Sequence, residues 1–340
     1  MISHLIHKEF LQIRRNAFLP RLIVLFPIVI MCVMPWVMQM EVKNVVVEVV
    51  DIDHTVASQR LIQQIAASNY FIFGGQRASY AEALKDIEKG KADIILEIRD
   101  GRYLIAANAV NGTKGSLGSA YLSQIVASGK GSPSLLLYNK HQNYKLFMIP
   151  ALFAIVMMLM TGFLPTLNIV GEKEAGTIEQ INVTPVTKWA FILAKLIPYW
   201  LIALFVITVC LLLAWGIYDI TPAGPVGLIY LLAMLLAMFF SSLGLIISNY
   251  SDTMQQAIFV MWFFVVCLLL LSGLFTPTRS MPDWAYATTY VNPMHYFIDA
   301  IRTVFIRGGG FAAIAHQVLA LAAIGLAMSG WAVASYRKNS

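Results

Sequence analysis

Three carboxylates lie close together in a polar stretch, residues 171–188, that separates two long apolar runs: Glu172, Glu174 and Glu179. Clustered carboxylates recognise a basic or polar groove by complementary charge, which sets the orientation of a docked partner. The alternative interpretation is a solvated loop, in which exposed charges contribute little to stability. No nucleophile–base pair stands out within the long apolar runs, and the 3 cysteines lack metal-ligand spacing. We therefore expect no catalytic residues and no metal site.

The same stretch is dense in signals that begin or end helices. Gly176 suits the C-terminal cap of one helix. Thr177 with Gln180 fits a capping box that begins another. Thr184-Pro185 is typical of a cap followed by proline at the first helical position. The pattern predicts a tight helix–turn–helix connection between two long helices.

This stretch resembles the cytoplasmic loop of ABC-2 type export permeases, the membrane subunits of ATP-driven exporters. The residues that carry the resemblance are Glu172, Glu174, Gly176, Thr177, Glu179, Gln180, Thr184 and Pro185. In that family the loop carries a short coupling helix that docks on a separate ATPase. The resemblance implies an ATPase-coupling role for Glu172, Lys173, Glu174, Gly176, Thr177, Glu179, Gln180 and Pro185. It also implies a dimer of permeases, with an identical copy or a paralogue, bound to two cytoplasmic ATPase subunits.

The composition fits a membrane protein. Hydrophobic residues make up 59% and charged residues 12% of the chain, whereas soluble domains carry about 25% charged residues. The net charge of +6 is typical of basic residues that hold loops on the cytoplasmic side, so no nucleic-acid partner is expected. The chain contains no Gly-x-x-x-x-Gly-Lys-Ser/Thr sequence, so we expect it to bind no cofactor and ATP with Mg²⁺ to belong to the partner ATPase.

Six apolar runs are long enough to cross a bilayer, which takes about 20 residues. They span 22–40, 146–170, 189–215, 226–247, 257–275 and 312–336. Before the first, residues 1–21 place Ile2, Ile6 and Phe10 at helical spacing. This predicts an amphipathic helix on the membrane surface, with a frayed tail as the alternative.

Residues 41–145 have a different character, because strand-like and helical patterns alternate there. The strand-like runs are 45–51, 70–73, 92–98 and 103–107, and the helical runs are 58–67, 79–89 and 116–126. Alternation of this kind predicts an α/β domain. The predicted fold class is therefore an α-helical integral membrane protein with six transmembrane helices and an inserted extracytoplasmic α/β domain between helices one and two.

The orientation follows from the basic residues of the short loops. Nine lie on one side: Lys8, Arg14, Arg15, Arg21, Lys173, Lys188, Lys195, Arg337 and Lys338. Three lie on the other: Arg279, Arg302 and Arg307. This asymmetry predicts that both termini and the 171–188 loop are cytoplasmic and that 41–145 lies outside. The resemblance to ABC-2 type export permeases implies that the protein resides in the bacterial inner membrane.

Residues 276–311 form an outer loop rich in proline and aromatic residues, with short or re-entrant helices expected. Asn292-Pro293 marks a break before a short predicted helix, and Asp299 and Arg302 lie three residues apart on one face of that helix. We interpret Pro293, Asp299 and Arg302 as an outer gate. The alternative is an aromatic belt that anchors the loop at the membrane surface.

Further motifs extend the resemblance to bacterial permeases grouped with multidrug exporters, among them Asp51-Ile52-Asp53, Leu271–Phe275 and Asn292-Pro293-Met294. The function implied is a non-enzymatic permease subunit, with membrane lipids and a periplasmic adaptor as further candidate partners. The apolar spans weakly favour a lipophilic or amphipathic cargo. Two alternatives remain: a membrane-anchored sensor or scaffold acting through its α/β domain, and an ion-coupled secondary transporter. The second is disfavoured because the central parts of the spans lack ionisable residues.

Overall fold

The computed structural model describes residues 2–16, 19–37, 45–68, 70–108, 112–128, 144–177, 187–275, 278 and 281–336. The chain divides into a helical unit, Met1–Met38 with His141–Ser340, and an α/β unit, Gln39–Lys140. The helices of the first unit are α1 (Ile2–Arg15), α2 (Leu19–Val37), α6 (Tyr144–Glu174), α7 (Lys188–Tyr218), α8 (Val226–Tyr250), α9 (Met254–Leu270), α10 (Asp283–Thr289), α11 (Pro293–Arg307) and α12 (Phe311–Ser335).

Within the described ranges, five helices are long and apolar enough to cross a membrane: α2, α6, α7, α8 and α12. The sequence predicts six spans. The remaining apolar run forms α9, which has only 17 residues, at the lower end of the range of about 17–25 that can span. It ends at Leu270, before the predicted limit at 275, because Leu271–Gly273 turn and Gly273 adopts φ +85°.

Helices α6 and α8 form the centre of the helical unit. In each of these two helices, 78% of an 18-residue apolar segment is buried, against 22% of the corresponding segments of α2 and α12. The two central helices cross closely through Gly162 and Gly244. A Cβ on Gly244 would lie 2.5 Å from Thr166 Oγ1 and 2.7 Å from the Gly162 carbonyl oxygen. The absence of a side chain at Gly244 therefore sets the distance between the two helices.

Different loops lie at the two ends of the helical unit. At the loop end, which comprises residues 171–177, 187–191 and 250–254, the rings of Phe191 and Tyr336 lie 5.1 Å apart. At the opposite end, the Lys145 ammonium lies 4.6 Å from the centre of the Trp36 ring. The Ala223 N–H there donates to the Phe305 carbonyl at 3.0 Å. The long helices thus run alternately between the two ends.

The α/β unit is built on a four-stranded sheet. Its elements are β1 (Val45–Asp51), α3 (Val56–Ala66), β2 (Phe71–Gln76), α4 (Tyr80–Glu88), β3 (Ile94–Arg99), β4 (Arg102–Ala107) and α5 (Gly112–Ser128). The strand order is β2-β1-β3-β4, with β1 parallel to β2 and β3, and β3 antiparallel to β4. Strand β1 is buried almost throughout, as expected of a central strand covered on both faces.

Candidate functional site

A ring of four charges lies at the loop end, where α1, α6 and α7 meet. The Lys195 ammonium contacts Glu9 at 2.8 Å and Glu172 at 2.5 Å. The Lys8 ammonium contacts the same two carboxylates at 3.3 and 3.1 Å. The side chains of Lys195, Glu9 and Glu172 are 1–4% exposed. Each carboxylate is therefore bonded to both lysines, and the ring carries no net charge.

Neutral polar groups complete the ring. The Asn168 amide donates to the second oxygen of Glu9 at 3.2 Å, and Gln12 donates to Asn168 at 3.1 Å. Burial alone would lower the pKa of Lys8, but the carboxylates of Glu9 and Glu172 hold that pKa above its ordinary value. Each of the three buried charges of the ring, on Glu9, Glu172 and Lys195, therefore has an oppositely charged partner in contact, which a buried charge requires.

Three of the predicted coupling residues, Glu172, Lys173 and Glu174, form the end of α6, which continues to Glu174 rather than ending at residue 170. This extension places Glu172 inside the ring and away from solvent. Lys173 donates to the Ser251 carbonyl at 2.8 Å and to Asp252 at 2.9 Å. Glu174 is exposed and accepts a bond from the Met254 N–H at 2.7 Å, at the positive N-terminal end of α9. These contacts fasten the end of α6 to the turn between α8 and α9.

The turn that follows α6 has the backbone predicted for it. Gly176 adopts φ +67°, the left-handed conformation that ends helices and favours glycine. The Thr177 hydroxyl donates to the Glu172 carbonyl at 3.1 Å. Glu179, Gln180 and Pro185 lie outside the described residues. Beside this turn lies a pocket of about 480 Å³, which is lined by residues of α1 and α6, by Leu19 at the start of α2, by Thr177 and by Met254.

The predicted outer-gate residues lie at the opposite end, on α11. Pro293 is the first residue of α11, and Asn292 caps the helix by accepting from the Met294 N–H at 3.0 Å. The Asn292 amide also donates to the Leu268 carbonyl at 2.8 Å. This single buried side chain therefore joins the start of α11 to the last turn of α9.

Asp299 and Arg302 line one open pocket of about 250 Å³, together with His295 and Ser272. Asp299 is exposed and accepts from the Gln317 amide at 2.7 Å. The Arg302 guanidinium lies 3.7 Å from the centre of the Phe147 ring, a cation–π contact. The two predicted gate charges thus share a pocket but contact different helices, α12 and α6.

Sequence reasoning missed Lys8, Glu9, Gln12, Asn168 and Lys195 as members of one site. The charge asymmetry identifies Lys8 and Lys195 only as basic residues on the cytoplasmic side. Lys195 carried a signal, because a lysine within an apolar run marks a functional site by default. Its partners were hidden, since Glu9 lies far away in the sequence and the predicted surface helix gave no reason to bury it. In the described ranges, no group of three or more His, Cys, Asp or Glu side chains is arranged to hold a metal ion.

Comparison with known proteins identifies what the chain is similar to. A family model described as "ABC-2 family transporter protein" matches residues 21–334. The Escherichia coli (strain K12) protein named probable multidrug ABC transporter permease YbhR is 26% identical over 360 aligned positions, covering 98% of both chains. Two more E. coli K12 proteins match about half of the chain. Probable multidrug ABC transporter permease YbhS is 28% identical over 48% of this chain and 43% of its own length. Inner membrane transport permease YhhJ is 29% identical over 50% of this chain and 46% of its own length.

Proposed function

The chain belongs to the ABC-2 transporter family, and on that premise we propose that it is the membrane-spanning permease subunit of an ATP-driven exporter. A separate cytoplasmic ATPase binds and hydrolyses ATP with Mg²⁺, and the permease itself is not an enzyme. Family membership favours this function over a sensor scaffold or an ion-coupled carrier. Relatives named as probable multidrug ABC transporter permeases support a drug-like cargo. The apolar spans favour a lipophilic or amphipathic one, and we assign its movement as outward.

The observation that carries the coupling proposal is how the 175–187 connection is fastened at its base. Lys173 and Glu174 bond to the turn before α9, and Glu172 bonds to Lys195 of α7. A push on this connection therefore reaches α6, α7 and α9 together. Exposed Glu174 and Thr177 belong to the face that meets the ATPase, whose groove is basic or polar. Glu179 and Gln180 are assigned the same docking role from the sequence.

The same proposal assigns the orientation of the chain. The loop end is cytoplasmic and includes both termini, so the α/β unit is extracytoplasmic. Helix α9 completes six spans, since about 17 residues can cross a bilayer. Two permeases, identical or paralogous, assemble with two ATPase subunits in the inner membrane, and a periplasmic adaptor is a candidate partner of the α/β unit. At the outer end, Pro293, Asp299 and Arg302 gate the exit.

Affinity purification of the permease with its ATPase tests the function. Glu174→Lys reverses a charge on the proposed docking face. We expect it to reduce the ATPase that co-purifies, or to abolish ATP-driven transport, while membrane insertion is unchanged. The control is Glu88→Lys, an exposed residue at the end of α4 in the α/β unit, which should behave like wild type. Wild-type ATPase binding and transport in Glu174→Lys would reject the docking face.

A further inference from the structure

We propose that Lys195 is a positioning residue that makes three helices move together: α6 and α7, which flank the 175–187 connection, and α1. This inference rests on the proposed function and deepens it. The inference starts from where the ring lies. Glu172 is in the last turn of α6, and Lys195 is about two turns into α7. Their 2.5 Å contact closes the connection at its base, so its two flanks move together.

Helix α1 is the third member of this part. Glu9 and Lys8 lie next to each other on α1, and each contacts a partner outside α1: Glu9 meets Lys195, and Lys8 meets Glu172. Gln12, one turn further along, bonds to Asn168 of α6. Helix α1 is thus fixed to the flanks of the connection, and it leads into α2 through the few residues that separate the two helices.

Stability alone does not account for such a ring. Removing charges from water is costly, and buried ion pairs are often no more stabilising than apolar side chains of similar volume. The best-attested use of a buried polar group is to fix the register of packed helices. A ring in which every carboxylate bonds two ammonium groups is satisfied in one relative placement of α1, α6 and α7. Any displacement of one helix must therefore carry the others or break several ionic contacts at once.

The double variant Lys195→Met/Glu172→Met tests the inference in the reconstituted permease–ATPase complex. It keeps the ring neutral, because Lys8 and Glu9 remain, and it fills the site with apolar side chains of similar volume. The measurements are the thermal midpoint and the amount of cargo moved per ATP hydrolysed. We expect a midpoint close to that of wild type and a transport-to-hydrolysis ratio that falls about 5-fold or more, the scale of coupling between sites. Lys188→Met, at an exposed position on the same helix, should change neither.

A purely structural ring predicts a different result. If the double variant is stable and retains the wild-type ratio, the positioning role of Lys195 is wrong. Should the double variant fail to fold, the isosteric variant Glu9→Gln answers the same question, since it loosens α1 but leaves the Glu172–Lys195 contact. An unchanged transport-to-hydrolysis ratio in Glu9→Gln overturns the inference, and a lowered ratio supports it. Failure of the proposed function looks different, because the wild-type complex would then show no ATP-driven transport at all.

Discussion

Replacement of Gly244 by alanine perturbs the closest helix crossing of the protein's centre. The new methyl group would lie 2.5 Å from Thr166 Oγ1 and 2.7 Å from the Gly162 carbonyl oxygen, whereas ordinary contacts begin at 3.4 Å. Helices α6 and α8 must therefore separate by about 1 Å, which removes favourable packing along the crossing. Overpacking of this kind costs about 1–3 kcal/mol, and more where backbone is the obstacle.

The same substitution also has a favourable effect that must be subtracted. Alanine is better than glycine inside a helix by about 0.8–1 kcal/mol. We therefore expect Gly244→Ala to destabilise the protein by a net of up to about 2 kcal/mol. Gly227→Ala, on the same helix, is the matched control because a Cβ there meets nothing within 4 Å. It should be neutral or slightly stabilising.

Thermal unfolding in detergent, followed by size-exclusion chromatography of the heated protein, measures both variants. The expected order of midpoints is Gly227→Ala at or above wild type, and Gly244→Ala a few degrees below it. Equal midpoints for the two alanine variants would refute the reasoning, because they would show that α6 and α8 do not touch at Gly244.

Three further predictions concern the two ends of the helical unit and the orientation of the chain. Gly176→Ala should destabilise the protein by about 1 kcal/mol and weaken ATP-driven transport, because alanine is strained at φ +67°. No atom lies within 4 Å of the new Cβ, so this backbone strain is the whole cost. A wild-type midpoint with wild-type transport would contradict the prediction. Asn292→Ala removes the cap of α11 and the bond to Leu268, so it should lower stability by about 0.5–2 kcal/mol and alter export, as measured by midpoint and cargo efflux. In a background without native cysteines, Glu88→Cys should react with an impermeant thiol reagent from outside and Thr177→Cys should not; the reverse labelling would invert the orientation.

Several features of the fold follow from local sequence patterns. The apolar runs predict the long helices to within a few residues, and the strand-like runs fall on the four strands of the α/β unit. Gly176 is predicted as a helix end because only glycine adopts a left-handed backbone without strain. Such signals are short-range, so a single sequence displays them directly.

The candidate site depends on contacts that a single sequence does not display. The polar stretch predicts that Glu172 lies in a loop, but α6 continues through it and buries it against Lys195. Glu9 lies on the helix expected at the membrane surface, yet its side chain is only 4% exposed. Pairing across such distances in the sequence depends on how α1, α6 and α7 pack, which periodicity does not encode. The gate charges show the same limit, since their spacing on α11 does not predict that Asp299 bonds to α12 and Arg302 packs on α6.

Site-specific crosslinking between the permease and its ATPase tests the central claim most directly. A cysteine at Thr177, which is exposed beside the end of α6, is treated with a short crosslinker in membranes that contain the assembled complex. The account predicts a permease–ATPase adduct from Thr177→Cys and none from Glu88→Cys in the α/β unit. An adduct from position 88 with none from position 177 would contradict the claim that the 175–187 connection meets the ATPase.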